Sequence, residues 1–439
     1  MKKIIVTENK DRLADLLNIC RQLTQKDPDL DIRILMTKGR LSYSLLNLHD
    51  DLSVHESKIV VQRDPTYRGI KVKLRNSIFV SVVVYLQLTI RYYELRKLLN
   101  TFSFDTALIT GDRTLSTEAM VHKYCKRRNI TTLIPYLTYS GKEPTLKLRQ
   151  KRGKRHSVFL KDSINNYLIS KLFPRQVEKF EGGKYLFFKA SDTLAHYMFG
   201  TLPDNPWVFG SSSEALICVD NKKTMHRYLS NGIPEKRLVL AGHLSFDTLH
   251  NVWVNKAEVL TKLCQKYDLD QRHKSIIISL PQLKEHGLTS DEVHWSQINF
   301  LLKTLSATRE NVFVSLHPKM NPLEYGPVCS KYCVTLVEER LDKILPIADT
   351  FVAFYSSTVY WSLLMNIPTL VFDFLDYRYD MFDGLDGLIF CYEATALPQA
   401  IDRTLHGKVD FTNSNELLSR ETIFDGKTID RYREIIYNY

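Results

Sequence analysis

The sequence predicts an α/β protein of two Rossmann-like domains that face each other across a cleft. In both halves of the chain, short β-rich segments alternate with segments of helical length, a pattern typical of parallel sheets covered by helices. At 439 residues the chain is long enough for two or three ordinary domains. Its 44% hydrophobic residues are sufficient to fill their cores.

The first half opens with the strand KKIIVTE, which is followed by the helical pattern NKDRLADLLNICRQLTQ and by a second strand, DIRILMT. Further along come the strand DTALITGD, the helix STEAMVHKYCKRRN and the strand ITTLIPYL. These patterns predict a first Rossmann-like domain over residues 1–240.

The second half repeats this plan. The strands KSIIISLP and NVFVSLHP flank the helix WSQINFLLKTLSAT, and TFVAFYSS and PTLVFDF flank the helix TVYWSLLMN. We expect a second Rossmann-like domain over residues 250–410, a hinge within residues 240–272, and closing helices in residues 411–439.

The net charge of +11 is unevenly distributed. Residues 1–200 contain 36 Lys+Arg and 19 Asp+Glu, which leaves 24 and 30 for residues 201–439. The basic first half indicates an anionic partner, and nucleic acid, anionic lipid and an anionic sugar polymer all fit that description. Zinc-finger spacing, an RNP signature and a basic recognition helix are all missing from the sequence, which disfavours nucleic acid.

The cysteines and the apolar segments point to the cytoplasm. The seven cysteines are scattered, and the close pair Cys329 and Cys333 has no further ligands at metal-binding spacing, so we expect reduced thiols. The longest apolar run, Ser77–Ile90, has 14 residues, fewer than the roughly 18 that a spanning helix needs. The N-terminal residues do not have the apolar core of a signal peptide.

Three hydroxyl residues, Ser356, Ser357 and Thr358, follow the strand TFVAF where a helix should begin. Backbone N–H groups and hydroxyls at that position can bind a phosphate. The alternative is an N-cap, which needs only one hydroxyl. Three hydroxyls favour a phosphate site.

His317, Pro318 and Lys319 follow the strand NVFVS, and proline ends that strand. A lone loop histidine is more often structural or simply exposed. A histidine donor and a lysine charge at the same sheet edge as Ser356–Thr358 would form a pyrophosphate clamp, on the expectation that the two strands are neighbours. The sequence has neither a Walker loop nor a GxGxxG fingerprint.

Several segments resemble the UDP-N-acetylglucosamine 2-epimerases. They are DTALITGDRTLSTEAMVHKYCKRRNITTLIPYL, ALICVDNKKTMHRYLSNGIPEKRLVLAGHLSFDTL, VFVSLHPKMNP and ADTFVAFYSSTVYWSLLMNIPTLVFDF. The resemblance implies the GT-B architecture. The chain departs from that family because VYWSLL supplies no carboxylate after the serine turn and LIPYLTYSG lacks the family's glutamate. An epimerase or hydrolase is therefore the alternative reading.

The His-Pro pair and the Ser-Ser turn are similar instead to bacterial sialyltransferases, Kdo transferases and teichoic-acid glycerophosphotransferases. That resemblance implies a metal-independent GT-B glycosyltransferase of surface-polysaccharide assembly that uses a nucleotide-activated sugar, with a cytidine nucleotide favoured. Its acceptor would be an anionic glycan or a lipid-linked molecule. No cofactor is expected, because the nucleotide-sugar is a substrate.

An acceptor base is expected on the first domain, across the cleft. Asp112 ends the strand of DTALITGD, and Glu118 on the following helix is the second candidate. Capping of that helix is the alternative role for Asp112. Arg113 would contact donor or acceptor, and Gly242 and His243 would lie near the hinge and the nucleotide.

Two further patterns have competing interpretations. The acidic run DFLDYRYDMFDGLDG could suggest a metal site, but its irregular spacing favours a polar loop at the rim of the cleft. Basic residues in RGIKVKLRN and RYYELRKLL border the apolar run Ser77–Ile90. They predict peripheral contact with an anionic membrane at the inner face of the plasma membrane, and a buried segment with solvated ends is the alternative.

Overall fold

A computed structural model of the chain describes residues 2–7, 13–38, 42–47, 77–113, 115–137, 142–152, 155–211, 214–285, 289–317 and 320–439. The chain divides into two compact units. The first comprises residues 1–243 and 429–439, and the second comprises residues 244–428.

The first unit is built on a seven-stranded sheet of order β3-β2-β1-β4-β5-β8-β9, in which β3 runs antiparallel to β2 and the other pairs are parallel. Its strands are β1 (Lys3–Thr7), β2 (Asp31–Lys38), β3 (Ser42–Asn47), β4 (Thr106–Leu108), β5 (Thr131–Ile134), β8 (Leu216–Val219) and β9 (Leu238–Leu240). A separate antiparallel hairpin consists of β6 (Val177–Phe180) and β7 (Gly183–Leu186).

Helices surround this sheet, and its central strands are buried as a parallel sheet requires. Ile4, Ile5 and Val6 of β1 are fully buried. The helices before the unit boundary are α1 (Leu13–Lys26), α2 (Val80–Thr101), α3 (Thr117–Arg128), α4 (Lys142–Lys151), α5 (Ile164–Leu172), α6 (Ala190–Phe199) and α7 (Lys222–Ser230).

Local sequence explains both ends of α3. The Ser116 hydroxyl accepts a hydrogen bond from the amide of Glu118 and caps the N-terminus. The positive charges of the basic residues in the last turn interact favourably with the negative, C-terminal end of the helix dipole. Asn129 ends the helix in the left-handed conformation, with φ of 54°.

The second unit contains a six-stranded sheet of order β12-β11-β10-β13-β14-β15, with every neighbouring pair parallel. Its strands are β10 (Ser275–Ser279), β11 (Asn311–Ser315), β12 (Thr335–Leu336), β13 (Thr350–Ala353), β14 (Thr369–Phe372) and β15 (Leu388–Cys391). Its helices are α8 (Leu244–Val254), α9 (Lys256–Tyr267), α10 (Asp291–Ser306), α11 (Pro322–Lys331), α12 (Leu341–Ile344), α13 (Val359–Leu364), α14 (Leu397–His406) and α15 (Thr412–Glu421).

The strand order of the second sheet is that of a Rossmann fold, because the six strands lie 3-2-1-4-5-6 in chain order. The order reverses between β10 and β13, where Ser279 pairs with Ala353. In such sheets the ligand lies beyond the carboxyl ends of the two strands that flank the reversal. The first sheet has a similar reversal between β1 and β4. The predicted pair of Rossmann-like domains is confirmed.

The last helix, α16 (Thr428–Asn438), returns the chain to the first unit. The hydroxyl oxygen of the buried Tyr432 accepts a hydrogen bond from the backbone amide of Tyr136, at 2.8 Å. Arg433 binds Asp27 at 2.7 Å and holds the pKa of that carboxyl below its usual range. Residues 411–439, predicted as closing helices, are thus divided, because α15 belongs to the second unit.

Candidate functional site

The carboxyl edge of the first sheet is organised around Glu118, which lies in the first turn of α3 and is 1% exposed. Its Oε1 accepts hydrogen bonds from the Thr7 hydroxyl at 2.9 Å, the Thr110 amide at 2.6 Å and the Thr110 hydroxyl at 2.7 Å. One buried carboxylate oxygen therefore joins the ends of β1 and β4 to α3. These contacts support a structural role for Glu118, whereas the sequence suggested it as a second candidate base.

Asp112 lies half-buried at the same edge, after β4. Its Oδ1 accepts a hydrogen bond from the amide of Gly210 at 2.9 Å. The sequence left open that Asp112 caps α3, but Ser116 supplies that cap. Asp112 instead fixes a distant loop, and its role as acceptor base stays a prediction.

Arg113 packs against the same loop. Its Nη1 donates to the carbonyl of Pro206 at 3.4 Å, and its guanidinium carbon lies 5.1 Å from the centre of the Phe209 ring. These contacts hold the side chain in the first unit, beside the segment that Asp112 binds. Its predicted contact with donor or acceptor remains a prediction.

A cavity of about 580 Å³ opens beside Asp112 and Glu118. Its other walls include His122, Lys123, Lys126 and Arg127 of α3, together with residues 200–203. Burial lowers the pKa of His122, and the negative charge of Asp112 opposes that shift. Sequence reasoning missed His122, although its position four residues after Glu118 on one helix was a usable signal. The cavity thus combines one carboxylate candidate base with a histidine and three cations.

Gly242 and His243 follow β9 and end the first of the two segments, Met1–His243, that belong to the first unit. Gly242 is buried with φ of 92°, and its amide donates to the carbonyl of Val219 at 3.1 Å. The His243 ring packs edge-on against Tyr136, with 5.6 Å between ring centres. The sequence grouped these two residues with the nucleotide site, whereas the remainder of that predicted site lies in the second unit.

The Ser356–Thr358 turn lies at the carboxyl end of β13, where the strand order of the second sheet reverses. The Ser356 oxygen accepts a hydrogen bond from the Thr358 amide at 3.3 Å and lies 2.9 Å from the Thr358 hydroxyl. Ser357 is exposed. The following helix, α13, has six residues. The Ser356 hydroxyl therefore bonds within the turn, and Thr358, the N-cap residue of α13, makes no side-chain capping hydrogen bond.

His317 follows β11 and is exposed, and its carbonyl accepts a hydrogen bond from the Met320 amide at 2.8 Å. The expectation that its strand neighbours the serine strand was wrong, because β10 lies between β11 and β13. Two strand spacings correspond to about 10 Å. Pro318 and Lys319 lie outside the described residues.

Gln282 follows β10, the strand between His317 and the Ser356–Thr358 turn. Its side-chain nitrogen is buried and has no hydrogen-bond partner in the part of the chain that the structure describes. An unpaired buried donor is costly unless a ligand or water accepts its hydrogen bond. Sequence reasoning missed Gln282, because only the sheet order shows which strand ends meet.

Aromatic residues surround the ends of β13 and β14. The Tyr377 and Tyr379 rings are nearly parallel, with an interplanar angle of 2° and 5.3 Å between centres. The Tyr379 ring also packs against the ring of Tyr355, with 4.9 Å between ring centres, and Tyr355 directly precedes the serine turn. Tyr379 is 51% exposed, so a planar group could stack on it.

Carboxylates of the acidic run after β14 form hydrogen bonds and an ion pair with neighbouring residues. Both oxygens of the buried Asp373 accept backbone hydrogen bonds, from Tyr377 at 3.1 Å and Arg378 at 2.9 Å. Asp376 pairs with the Arg378 side chain at 2.6 Å, and Asp386 accepts bonds from the first turn of α15. Among the described residues no group of three His, Cys, Asp or Glu side chains could hold a metal ion.

No protein-family model matches the chain, and no curated protein sequence matches it. Among solved structures, the UDP-GlcNAc 2-epimerase from Neisseria meningitidis bound to UDP-GlcNAc is similar at 13% identity and a TM-score of 0.49, with 100% of both chains covered. The Methanocaldococcus jannaschii UDP-GlcNAc 2-epimerase in complex with UDP-GlcNAc and UDP is similar at 11% identity and a TM-score of 0.44, again with 100% of both chains covered. A variant of the wall teichoic acid polymerase TagF is similar at 14% identity and a TM-score of 0.48, with 100% of this chain and 89% of that chain covered.

At these identities and TM-scores the comparisons assign no family. The fold assignment rests on the two strand orders, each of which is observed directly in its own unit.

Proposed function

We propose that the protein is a metal-independent glycosyltransferase of the GT-B type. It would move a sugar or sugar-like group from a nucleotide-activated donor to an anionic glycan or lipid-linked acceptor of a surface polysaccharide, in the cytoplasm. The observation that carries this proposal is the position of the Ser356–Thr358 turn at the strand-order reversal of a Rossmann-like sheet.

The donor diphosphate would span the ends of three strands. The Ser356–Thr358 turn follows β13, Gln282 follows β10, and His317 follows β11. A single phosphate cannot reach across about 10 Å, so a diphosphate with its attached sugar and nucleoside would contact all three. Amide, hydroxyl and histidine donors there would stabilise the charge that develops on the departing nucleotide phosphate.

The exposed Tyr379 ring would stack on the nucleobase of the donor. It lies beside Tyr355, which leads into the serine turn, so the base and the phosphates would be bound by adjacent segments. Stacking on an aromatic ring tolerates any base, and the cytidine preference therefore remains part of the proposal rather than a consequence of this contact.

Asp112 of the first unit would remove the proton from the acceptor hydroxyl. The acceptor oxygen would then form the new bond to the donor's anomeric carbon while the bond to the nucleotide phosphate breaks, and the nucleotide leaves with both electrons of that bond. This step requires the predicted cleft between the two units. The cations of α3 that line the Asp112 cavity would suit an acceptor with phosphate or carboxylate groups.

Thermal-shift measurements with CMP, CDP, UDP and GDP test the donor site. A nucleotide that binds only the folded state stabilises it by about 2.7 kcal/mol at one hundred times its Kd. We expect one of the four to raise the melting temperature of the wild type and to have a much smaller effect on a Ser356→Ala/Thr358→Val variant. Ser419→Ala, an exposed change on α15, is the matched control.

The four nucleotides could all leave the melting temperature unchanged, or the double variant could respond like the wild type. Either result would reject the donor site. If a nucleotide-sugar is converted without any acceptor, as followed by NMR, the protein is instead an epimerase or hydrolase.

A further inference from the structure

Helix α2 has apolar side chains on two opposite faces. One face is buried in the core of the first unit and includes Val84, Leu88, Leu95 and Leu99. The other face is exposed, and we call it the α2 apolar face. Its members and their exposed fractions are Phe79 (87%), Val82 (54%), Val83 (44%), Leu86 (54%), Ile90 (49%) and Tyr93 (66%).

The spacing of these residues makes the α2 apolar face continuous. Successive residues of an α-helix are rotated by about 100°, so the six side chains fall within about 100° of the helix circumference. They extend for about 21 Å along the axis, at about 1.5 Å per residue. Single exposed apolar residues are ordinary, but a continuous row of this length indicates an interaction surface.

A second exposed apolar row lies on α5. Ile164, Leu168 and Leu172 are four residues apart, so they share one face of the helix, and all three are exposed. Both α2 and α5 pack against α6. Ile78, which directly precedes Phe79, packs into a cluster with Ile169 of α5. The two exposed rows therefore belong to one packed group of helices.

The surroundings of these rows are basic. Residues 77–200 contain 21 Lys+Arg and 9 Asp+Glu. Lys171, Lys179 and Lys184 line a cavity of about 450 Å³ together with Tyr167 and Glu178, and the Glu178 carboxylate pairs with Lys142 at 2.6 Å. None of the three lysines forms an ion pair within the described ranges of the chain. The cavity thus offers unpaired positive charge beside the exposed row of α5.

We infer that this surface docks on an anionic phospholipid bilayer. The α2 apolar face and the α5 row enter the interface between headgroups and acyl chains, and the lysines of the cavity bind lipid phosphates. A second copy of the chain is a poorer occupant, because it would bring two basic surfaces together. None of the described helices is long and apolar enough to cross a membrane. This inference goes beyond the proposed transferase activity and does not depend on it.

Co-sedimentation with lipid vesicles tests the inference. We expect the wild type to sediment with vesicles of phosphatidylcholine and phosphatidylglycerol, to bind pure phosphatidylcholine less, and to be released by salt. The Val82→Asp/Leu86→Asp variant should bind about tenfold more weakly or worse, because two inserted apolar side chains are replaced by anions. Leu323→Asp, on α11 of the second unit and also highly exposed, should bind like the wild type.

Two results would overturn the inference: a wild type that does not bind anionic vesicles, or a Val82→Asp/Leu86→Asp variant that binds them normally. A wild-type dimer that this variant converts to monomers, without vesicle binding, would show that a second copy is the occupant. Circular dichroism checks the fold of each variant. If the double variant does not fold, Phe79→Ser, at the exposed start of α2, provides the same comparison.

Discussion

The amide of Gly210 donates a 2.9 Å hydrogen bond to Oδ1 of Asp112, 98 residues earlier in the chain. Gly210 has φ of 87°, and a Cβ there would lie 2.3 Å from Cδ1 of Ile217, so glycine is required. Asp112 therefore has a structural contact that is distinct from its proposed role as base. An asparagine can keep the contact with Gly210, because its side-chain oxygen still accepts a hydrogen bond, but it cannot act as a base.

Asp112→Asn should reduce transfer about 100-fold or more, the usual scale for the loss of a general base. The free energy of unfolding should stay within about 1 kcal/mol of the wild type, since the bond to Gly210 is kept. Steady-state kinetics and urea denaturation measure the two effects. Nucleotide affinity measured by calorimetry should not change. A variant that transfers at the wild-type rate would show that Asp112 is not the base.

Glu118→Ala should lower the free energy of unfolding by about 3 kcal/mol, because the buried hydroxyl of Thr7 and the partly buried amide and hydroxyl of Thr110 lose their acceptor. Glu118→Gln should cost less, since its amide oxygen can still accept. The control Glu214→Ala removes a carboxylate that is 79% exposed, and it should change stability by less than about 0.5 kcal/mol. Equal stability of Glu118→Ala and the wild type would contradict the structural role.

Tyr379→Ala should weaken nucleotide binding roughly tenfold, because stacking of one base on an aromatic ring contributes about 1–3 kcal/mol. Tyr379→Phe keeps the ring and should bind with nearly wild-type affinity. Calorimetric titration with the nucleotide that gives the largest thermal shift measures both variants. An unchanged affinity in Tyr379→Ala would place the nucleobase elsewhere.

Acid should destabilise the protein partly through His156, which is 4% exposed. Burial, reinforced by the positive charge of Arg149, lowers its pKa from 6.5 to about 4. Between these values the unfolded chain binds a proton that the folded chain does not, so stability falls as pH decreases from about 6.5 to about 4. The full loss attributable to His156 is about 3 kcal/mol.

Urea denaturation between neutral pH and pH 4 checks this expectation. His156→Gln should show a shallower loss of stability across that range than the wild type. His226→Gln, an exposed change on α7, is the control and should follow the wild-type curve. Parallel curves for His156→Gln and the wild type would show that another group titrates.

Strands β1, β2, β4 and β5 of the first sheet and β10, β11, β13 and β14 of the second could be predicted from local sequence, whereas β3 and β15 were not predicted. The runs SIIIS and NVFVS are apolar throughout because β10 and β11 are buried on both faces of a parallel sheet. The helix beginning near Ser116 could be predicted in the same way, since its capping serine, early glutamate and late basic residues act over a few residues.

The composition of the candidate site could be predicted only in part. The Ser356–Thr358 turn was expected at a strand end, and the structure has it there. The sequence could not reveal that β10 separates it from His317, because strand order depends on packing between segments far apart in the chain. For the same reason Gln282 was missed, whereas His122 had a local signal in its spacing from Glu118 on one helix.

The sequence by itself determined the alternation of strands and helices in both units, because helix capping and the period of apolar residues are local properties. Only the tertiary structure decided which strand ends meet, that Ile429–Tyr439 returns to the first unit, and which face of α2 is covered. The run Ser77–Ile90 is apolar almost all round, and its sequence left membrane contact and burial in the core as the two alternatives. The number of neighbours around α2 limits that burial to one face, and the rest of its apolar surface stays exposed.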